Sequence, residues 1–311
     1  MLFKETATEW IMKKKNYIKE STYSLYRYEM EQYIFPMIGN LEIADITEQL
    51  VQEAVLQWQK EQNAQRHLLK QSTVQNLVVL TKQVIKYAIK QNYLLPIKID
   101  IHYANESIVC NKEKVFDDAE LIKLITAART NLTPETLGIL LCVNSGLRIG
   151  EICALVWGDF DLEQGILHIS KTLQRIYTSS PESGQKSHVC ISLPKTKSSI
   201  RDIPLTQQLC AAIRSISDRQ PNHYMLTNSD HYMEPRIYRK HYDLFLQKNG
   251  IKKHNFHCLR HTFATRCIAN GLNYKVVSEL LGHSTINITL NMYVHPQMSE
   301  KRKCIETIYI E

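Results

Sequence analysis

Ser145-Gly146-Leu147-Arg148-Ile149-Gly150-Glu151 is the stretch on which the reading of this chain turns. Gly146 can stop a preceding helix in the left-handed conformation. The two glycines also allow a sharp entry into the next helix and a close backbone approach. Upstream, Pro134 opens the helix that runs to Ser145. Downstream, a short helix from Arg148 to about Val156 makes Arg148 and Glu151 i, i+3 neighbours. Taken alone, such a pair is also an ordinary surface ion pair. Its meaning depends on what the rest of the chain supplies.

Strand-like pieces follow at 166–170, 189–193 and 200–205. The last two flank a polar turn at 194–199, which predicts a β-hairpin with Lys195 and Lys197 at its tip. Further helices are expected at 206–217, 235–249, 257–270, 274–281 and 285–292. Asp117 with Glu120 three residues on fits a capping box that opens a helix at 117. On the N-terminal side, 21–32, 45–62 and 72–92 read as helices. Thr47 serves as N-cap of the second, and Leu77, Val78, Leu80, Val84, Ile85, Ala88 and Ile89 form an apolar stripe on the third. The period breaks around 97–114. The reading is mainly α with a small antiparallel β-sheet: a helical domain at 1–100, a linker at 101–116 and a mixed α+β domain at 117–311.

The 311 residues are 44% hydrophobic and 22% charged, a globular composition with material for one or two cores. Formal net charge is +7; residues 1–110 hold 13 Lys+Arg against 12 Asp+Glu, so most of the excess lies in the remainder. A polyanion partner suits that balance, although many basic proteins bind no nucleic acid. The eight cysteines form no C-x-x-C pair and read as reduced, buried thiols of a cytoplasmic protein. The longest apolar run, 137–143, is too short to span a bilayer, so no membrane partner is expected.

Three further segments carry chemistry. In His257-Cys258-Leu259-Arg260-His261, an i, i+4 histidine pair of the zincin kind needs glutamate after the first histidine. Cys258 stands there and no third ligand is evident, so no metal is expected. His257 and Arg260 can instead present donors to one anion from the same helix face. Pro194-Lys195-Thr196-Lys197 sets a flexible lysine on a tight turn. Leu281-Gly282-His283-Ser284 precedes Tyr293, a residue that alone reads as core or surface.

In order, Arg148, Lys195, His257-x-x-Arg260, His283 and Tyr293 resemble the tyrosine recombinase (phage integrase) family. The motifs are SGLRIGEI (145–152), LPKTKSSIRDIPL (193–205), HCLRHTFAT (257–265), LLGHS (280–284) and NMYVH (291–295). Their style is closest to integrases of conjugative transposons and temperate phages. The resemblance is close over 117–295 and weaker over 1–100. It implies a helical core-binding (SAM-like) DNA-binding domain followed by a mixed α+β tyrosine-recombinase catalytic domain.

The same resemblance implies roles. Tyr293 is the nucleophile that forms a DNA 3′-phosphotyrosyl bond. Arg148 and Arg260 hold the non-bridging oxygens with forked donors, and His283 adds a hydrogen bond. His257 is the candidate base and Lys195 the acid for the 5′-oxygen. Glu151 orients Arg148 or His257. A free tyrosine has a pKa near about 10, and the arginine pair is expected to favour the phenolate. No cofactor is called for. Partners are double-stranded DNA with two recombination sites, a homotetramer around a Holliday junction, and a directionality factor. Phosphate contacts are expected from Lys13, Lys14, Lys15, Arg27, Lys70 and Lys82, and from Lys171, Lys197, Arg201, Arg236, Arg239 and Lys240. The 297–311 tail is expected to dock on a neighbouring protomer. Integration or excision of a mobile element is the expected outcome, with an Xer-like or invertase-type recombinase, and more distantly a type IB topoisomerase-like enzyme, as alternatives. An arm-binding module of the kind many such integrases carry is not expected before the core-binding helices.

Overall fold

The computed structural model describes residues 1–60, 68–103, 115–177, 187–192, 199–293 and 298. Contacts divide the chain into two units, Met1–Val109 with Arg175–His188, and Cys110–Gln174 with Val189–Glu311. The fold is mainly α, with small antiparallel sheets.

The first unit holds α1 (Phe3–Lys14), α2 (Glu20–Glu29), α3 (Phe35–Ile38), α4 (Glu48–Lys60) and α5 (Gln71–Lys90). A π-helical segment, Met30–Ile34, joins α2 to α3. Helix α4 starts on the expected cap, with Leu50 N donating to Thr47 Oγ1 at 3.3 Å. The apolar stripe of α5 is buried against Val51, Ala54, Val55 and Trp58 of α4 and Phe3, Ala7, Trp10 and Ile11 of α1. Helix α1 was not among the expected helices; its i, i+4, i+7, i+8 apolar spacing is diluted by charged neighbours. The first residues of the expected linker belong to this core instead. His102 N donates to Gln52 Oε1 at 2.9 Å, and Ile101 and Tyr103 pack on this core. Of the rest of that linker, 104–114 lies outside the described residues and Phe116 is buried in the core of the second unit. Residues 175–177 and 187–188 also belong here: Ser24 Oγ donates to Tyr177 O at 2.7 Å and Tyr177 Oη to Glu31 Oε2 at 3.1 Å.

The second unit contains α6 (Asp118–Thr130), α7 (Pro134–Ser145), α8 (Ile149–Ala154), α9 (Gln207–Arg214), α10 (Pro235–Lys248), α11 (His257–Ala269), α12 (Tyr274–Leu281) and α13 (Ile286–Tyr293). The strands of the chain are β1 (Phe160–Asp161), β2 (Ile166–Ile169), β3 (Thr172–Tyr177), β4 (Ser187–Ser192) and β5 (Arg201–Pro204); β1, β2 and β5 fall wholly in this unit. The capping box forms as expected: Glu120 N donates to Asp117 Oδ1 at 2.7 Å and Asp117 N to Glu120 Oε2 at 3.3 Å. Helix α7 runs through the core, with Leu137, Ile139, Leu140, Leu141 and Cys142 all buried among Leu124, Trp157, Tyr238, Tyr242 and Leu259. It ends at Gly146 in the left-handed conformation, φ 65°.

The expected hairpin between 189–193 and 200–205 does not form. Strand β5 pairs antiparallel with β2, Ile169 opposite Arg201 and Leu167 opposite Ile203, and β4 pairs with β3. Two physical reasons account for this. Leu167, Ile169 and Ile203 share one buried face, which ties β5 to β2. An additional strand, β3, with Leu173 and Ile176 buried, takes β4. Residues 193–198, with Lys195 and Lys197, lie outside the described residues. Cys142, Cys153, Cys210 and Cys258 are buried free thiols. No helix among the described residues is long and apolar enough to cross a membrane.

Candidate active site

Helix α12 is the anchor of the site. It closes with Gly282 in the left-handed conformation, φ 62°, and with Gly282 N donating to Glu279 O and His283 N to Ser278 O. A helix leaves its last carbonyls without intrahelical partners and partially negative. Here the next three carbonyls each receive a guanidinium. Arg201 Nε donates to Leu280 O at 2.6 Å, Arg260 Nη2 to Leu281 O at 2.8 Å and Arg148 Nη2 to Gly282 O at 3.0 Å.

Arg148 is the N-cap residue of α8, and its backbone N–H donates to Glu151 Oε2 at 2.9 Å. Its Nη1 donates to Glu151 Oε1 at 2.8 Å. Glu151 thus grips Arg148 by both its backbone and its side chain. Burial alone would raise its carboxyl pKa; hydrogen bonds and charge from Arg201, with help from Arg148, prevail and lower it. Arg260 is 2% exposed and reaches Gly146 O at 2.7 Å through Nη1. Burial and the nearby Arg148 lower its pKa to about 10, so it stays cationic at neutral pH. No carboxylate pairs with it among the described residues. A buried cation without a carboxylate is costly unless an anion arrives.

His283 Nδ1 lies 2.8 Å from Thr289 Oγ1, a hydroxyl on the fully buried Thr289. When that hydroxyl donates, the proton of the neutral ring sits on Nε2, ready for an anion. Burial and then Arg260, Arg148 and Arg201 lower the His283 pKa to about 4. Burial, then His261, Arg260 and Arg148, bring His257 to about 4 as well, although His257 keeps an exposed edge. Both rings are therefore neutral at pH 7. The two α11 histidines meet edge to face at 4.6 Å between ring centres, and His261, not His257, lies beside Tyr293 at 5.5 Å. The His283 and Tyr293 rings are parallel, 6.4 Å apart.

Tyr293 Oη is buried without a hydrogen-bond partner among the described residues. Burial raises its pKa, and the opposing pull of Arg260 and Arg148 does not overcome that. The arginine pair does pull towards the phenolate, as expected, but desolvation outweighs it.

The structure gathers Arg148, Glu151, His257, Arg260, His283 and Tyr293 in one place; Lys195 is outside the described residues. Among the described residues no group of three His, Cys, Asp or Glu is placed to hold a metal. Arg201 departs from its expected role as a phosphate contact: its side chain is 7% exposed and spent on Glu151. The residues that sequence reading missed are His261, Thr289 and the true place of Arg201. Alternation offered one signal, since Arg201 lies two residues from buried Ile203 and shares its face.

The other expected phosphate contacts vary. Lys70, Lys171, Arg236, Arg239 and Lys240 are exposed, the last three along one face of α10, and Lys82 is half-buried. Lys13 donates to Glu9 and Tyr87, Lys14 and Lys15 lie over Trp10 and Tyr23, and Arg27 pairs with Glu31 at 2.7 Å.

Residues 114–300 match the phage integrase family, and residues 3–95 match the phage integrase central domain. The chain belongs to the phage integrase family. A XerC-like tyrosine recombinase of Caldanaerobacter subterraneus subsp. tengcongensis is 28% identical over 257 residues, 76% of this chain and 65% of that protein. The transposase from transposon Tn916 of Enterococcus faecalis is 29% identical over 174 residues, 50% of this chain and 41% of its own length. The chain thus aligns with less than two thirds of either relative. Among solved structures, the Tn1549 transposon integrase in complex with a circular intermediate DNA superposes with a TM-score of 0.79 at 21% identity. That match covers 99% of this chain and 100% of the other. A lambda integrase dimer bound to a COC′ core site gives 0.64 at 13% identity, over 94% and 95%. These likenesses are of fold, and this integrase-family chain shares it.

Proposed function

We propose that this phage integrase family member is a site-specific recombinase that cuts and rejoins duplex DNA through Tyr293, in the integration or excision of a mobile element. One observation carries the reading. The unpartnered Tyr293 hydroxyl sits with two guanidiniums that are fixed by backbone carbonyls and keep donors to spare. A phosphodiester gains negative charge on its non-bridging oxygens under attack. Donors held in advance stabilise that charge, and loss of one costs about 10²–10³ in rate in a well-studied case.

Tyr293 Oη attacks phosphorus, the bond to the 5′-oxygen breaks, and a 3′-phosphotyrosyl bond remains. His257, neutral at pH 7, takes the phenolic proton; its ring meets that of His261, which in turn lies beside Tyr293. Lys195 supplies the proton to the departing 5′-oxygen. Arg148, Arg260 and His283 hold the phosphate. Rejoining reverses these steps when a 5′-hydroxyl of the partner duplex attacks, so the phosphodiester energy is kept. Two sites exchanged in turn call for a homotetramer on DNA, with a directionality factor choosing between joining and release. The similarity to a transposon transposase and to a transposon integrase solved with DNA supports the mobile-element reading.

A nicked duplex that spans the ends of the DNA element carrying this gene provides the test. The nick lets the 5′-hydroxyl strand diffuse away and traps the adduct. A detergent-resistant protein–DNA complex specific to those ends is expected. Relaxation of supercoiled plasmid without regard to sequence would point to topoisomerase activity instead.

A further inference from the structure

We infer that Arg201 is a positioning residue of the site, sharing the Glu151 carboxylate with Arg148 so that Arg148 keeps charge and donors for the scissile phosphate. All its observed contacts are internal. Nη1 donates to Glu151 Oε1 and to Ser199 O, each at 3.1 Å, and Nη2 donates to Glu151 Oε2 at 3.0 Å. With Nε on Leu280 O, four of the five donors of the fork are spent. Such a side chain has little left for DNA.

Its position explains what it does. Glu151 accepts from Arg148 and Arg201 on both oxygens, and its side chain is only 3% exposed. Without Arg201, that carboxylate would turn wholly to Arg148 and neutralise it as a closed ion pair. With Arg201, one carboxylate serves two guanidiniums, and the cluster keeps positive charge to spend on a phosphate. Arg201 also ties β5 to Leu280, the first of the three carbonyls on which Arg260 and Arg148 also rest. The strand therefore fixes the helix end that aims both arginines and His283.

The inference rests on the recombinase reading, so wild-type protein on the nicked duplex is the control. The full chain carrying Arg201→Lys, Arg201→Met or Arg201→Met with Glu151→Gln is compared for single-turnover cleavage and for DNA affinity against salt. Both single variants should cleave about 10²-fold more slowly while the salt slope is unchanged, since no phosphate contact is lost. The acid limb of the pH–rate profile should move to higher pH in Arg201→Met, because His283 loses a cationic neighbour. The double variant should regain at least about tenfold over Arg201→Met, because a neutral amide at position 151 no longer captures Arg148. If Arg201→Met fails to fold, the Lys variant, which keeps charge but not the fork, carries the comparison. A salt slope reduced by about 1 with cleavage intact would make Arg201 a phosphate contact and overturn the inference. Wild-type cleavage in folded variants would overturn it too. Absence of any wild-type adduct defeats the recombinase reading and this inference together.

Discussion

Tyr293 stands under opposed influences. Burial holds its proton on, while Arg260 and Arg148 pull towards the phenolate and lose. In the proposed reaction the phenol therefore needs a base and an incoming phosphate before it can attack, and a neutral His257 is the base proposed for it. A lowered histidine pKa favours the uncharged ring, so protonation of His257 and His283 is deferred to pH near about 4. Single-turnover cleavage should hold steady from pH 8 down to about 5 and fall below that as the two rings charge. A limb near pH 6.5, the ordinary histidine value, would show that neither burial nor the arginines act on the rings as described.

At the scale of elements, the site depends on two helix ends meeting. Gly146 ends α7 and offers its carbonyl to Arg260; Gly282 ends α12 and offers its carbonyl to Arg148. A Cβ on Gly146 would come within 2.6 Å of Phe263 Cδ1 and 2.7 Å of Leu281 Cδ2, in a left-handed backbone that disfavours side chains. Gly146→Ala should therefore lower stability by about 1–3 kcal/mol, read from the thermal midpoint, with cleavage reduced further than DNA binding. An unchanged midpoint would mean the neighbouring side chains give way freely. Such helix ends were legible because their signals are local. Asp117 with Glu120, Thr47 and Gly146 each announce a boundary within four residues. Strand pairing was not legible, because β5 chooses β2 over β4 through apolar residues more than thirty positions apart, Leu167 and Ile203. The motif residues could be named from type and order. The wedge of His261 beside Tyr293, the Thr289 hydroxyl on His283 and the inward turn of Arg201 exist only once α11, α13 and β5 are placed.

For the whole molecule, charge and buried acid set the expected behaviour. The positive excess lies mainly beyond residue 110, and Arg236, Arg239 and Lys240 present one exposed face of α10. If each meets a phosphate, replacing all three by Gln should reduce the salt slope of DNA binding by about 3, roughly 1 per lost contact; an unchanged slope would place the DNA elsewhere. Glu29 on α2 is buried, and burial pushes its pKa up to about 7. A raised folded pKa means the folded chain holds the proton more tightly than the unfolded chain. That contribution to stability is complete below the usual carboxylate range and is lost as pH rises through about 7. Glu29→Gln should raise the melting temperature at pH 8 and change it little at pH 4; the opposite pattern would assign Glu29 a stabilising charge. The central claim, that strand cleavage runs through Tyr293, is tested most directly by trapping the adduct on the nicked duplex, digesting it and mapping the DNA-linked peptide beside the Tyr293→Phe variant. The expected result is one phosphotyrosyl peptide containing Tyr293 and no adduct from the variant; equal trapping by Tyr293→Phe, or a link at another residue, would contradict it.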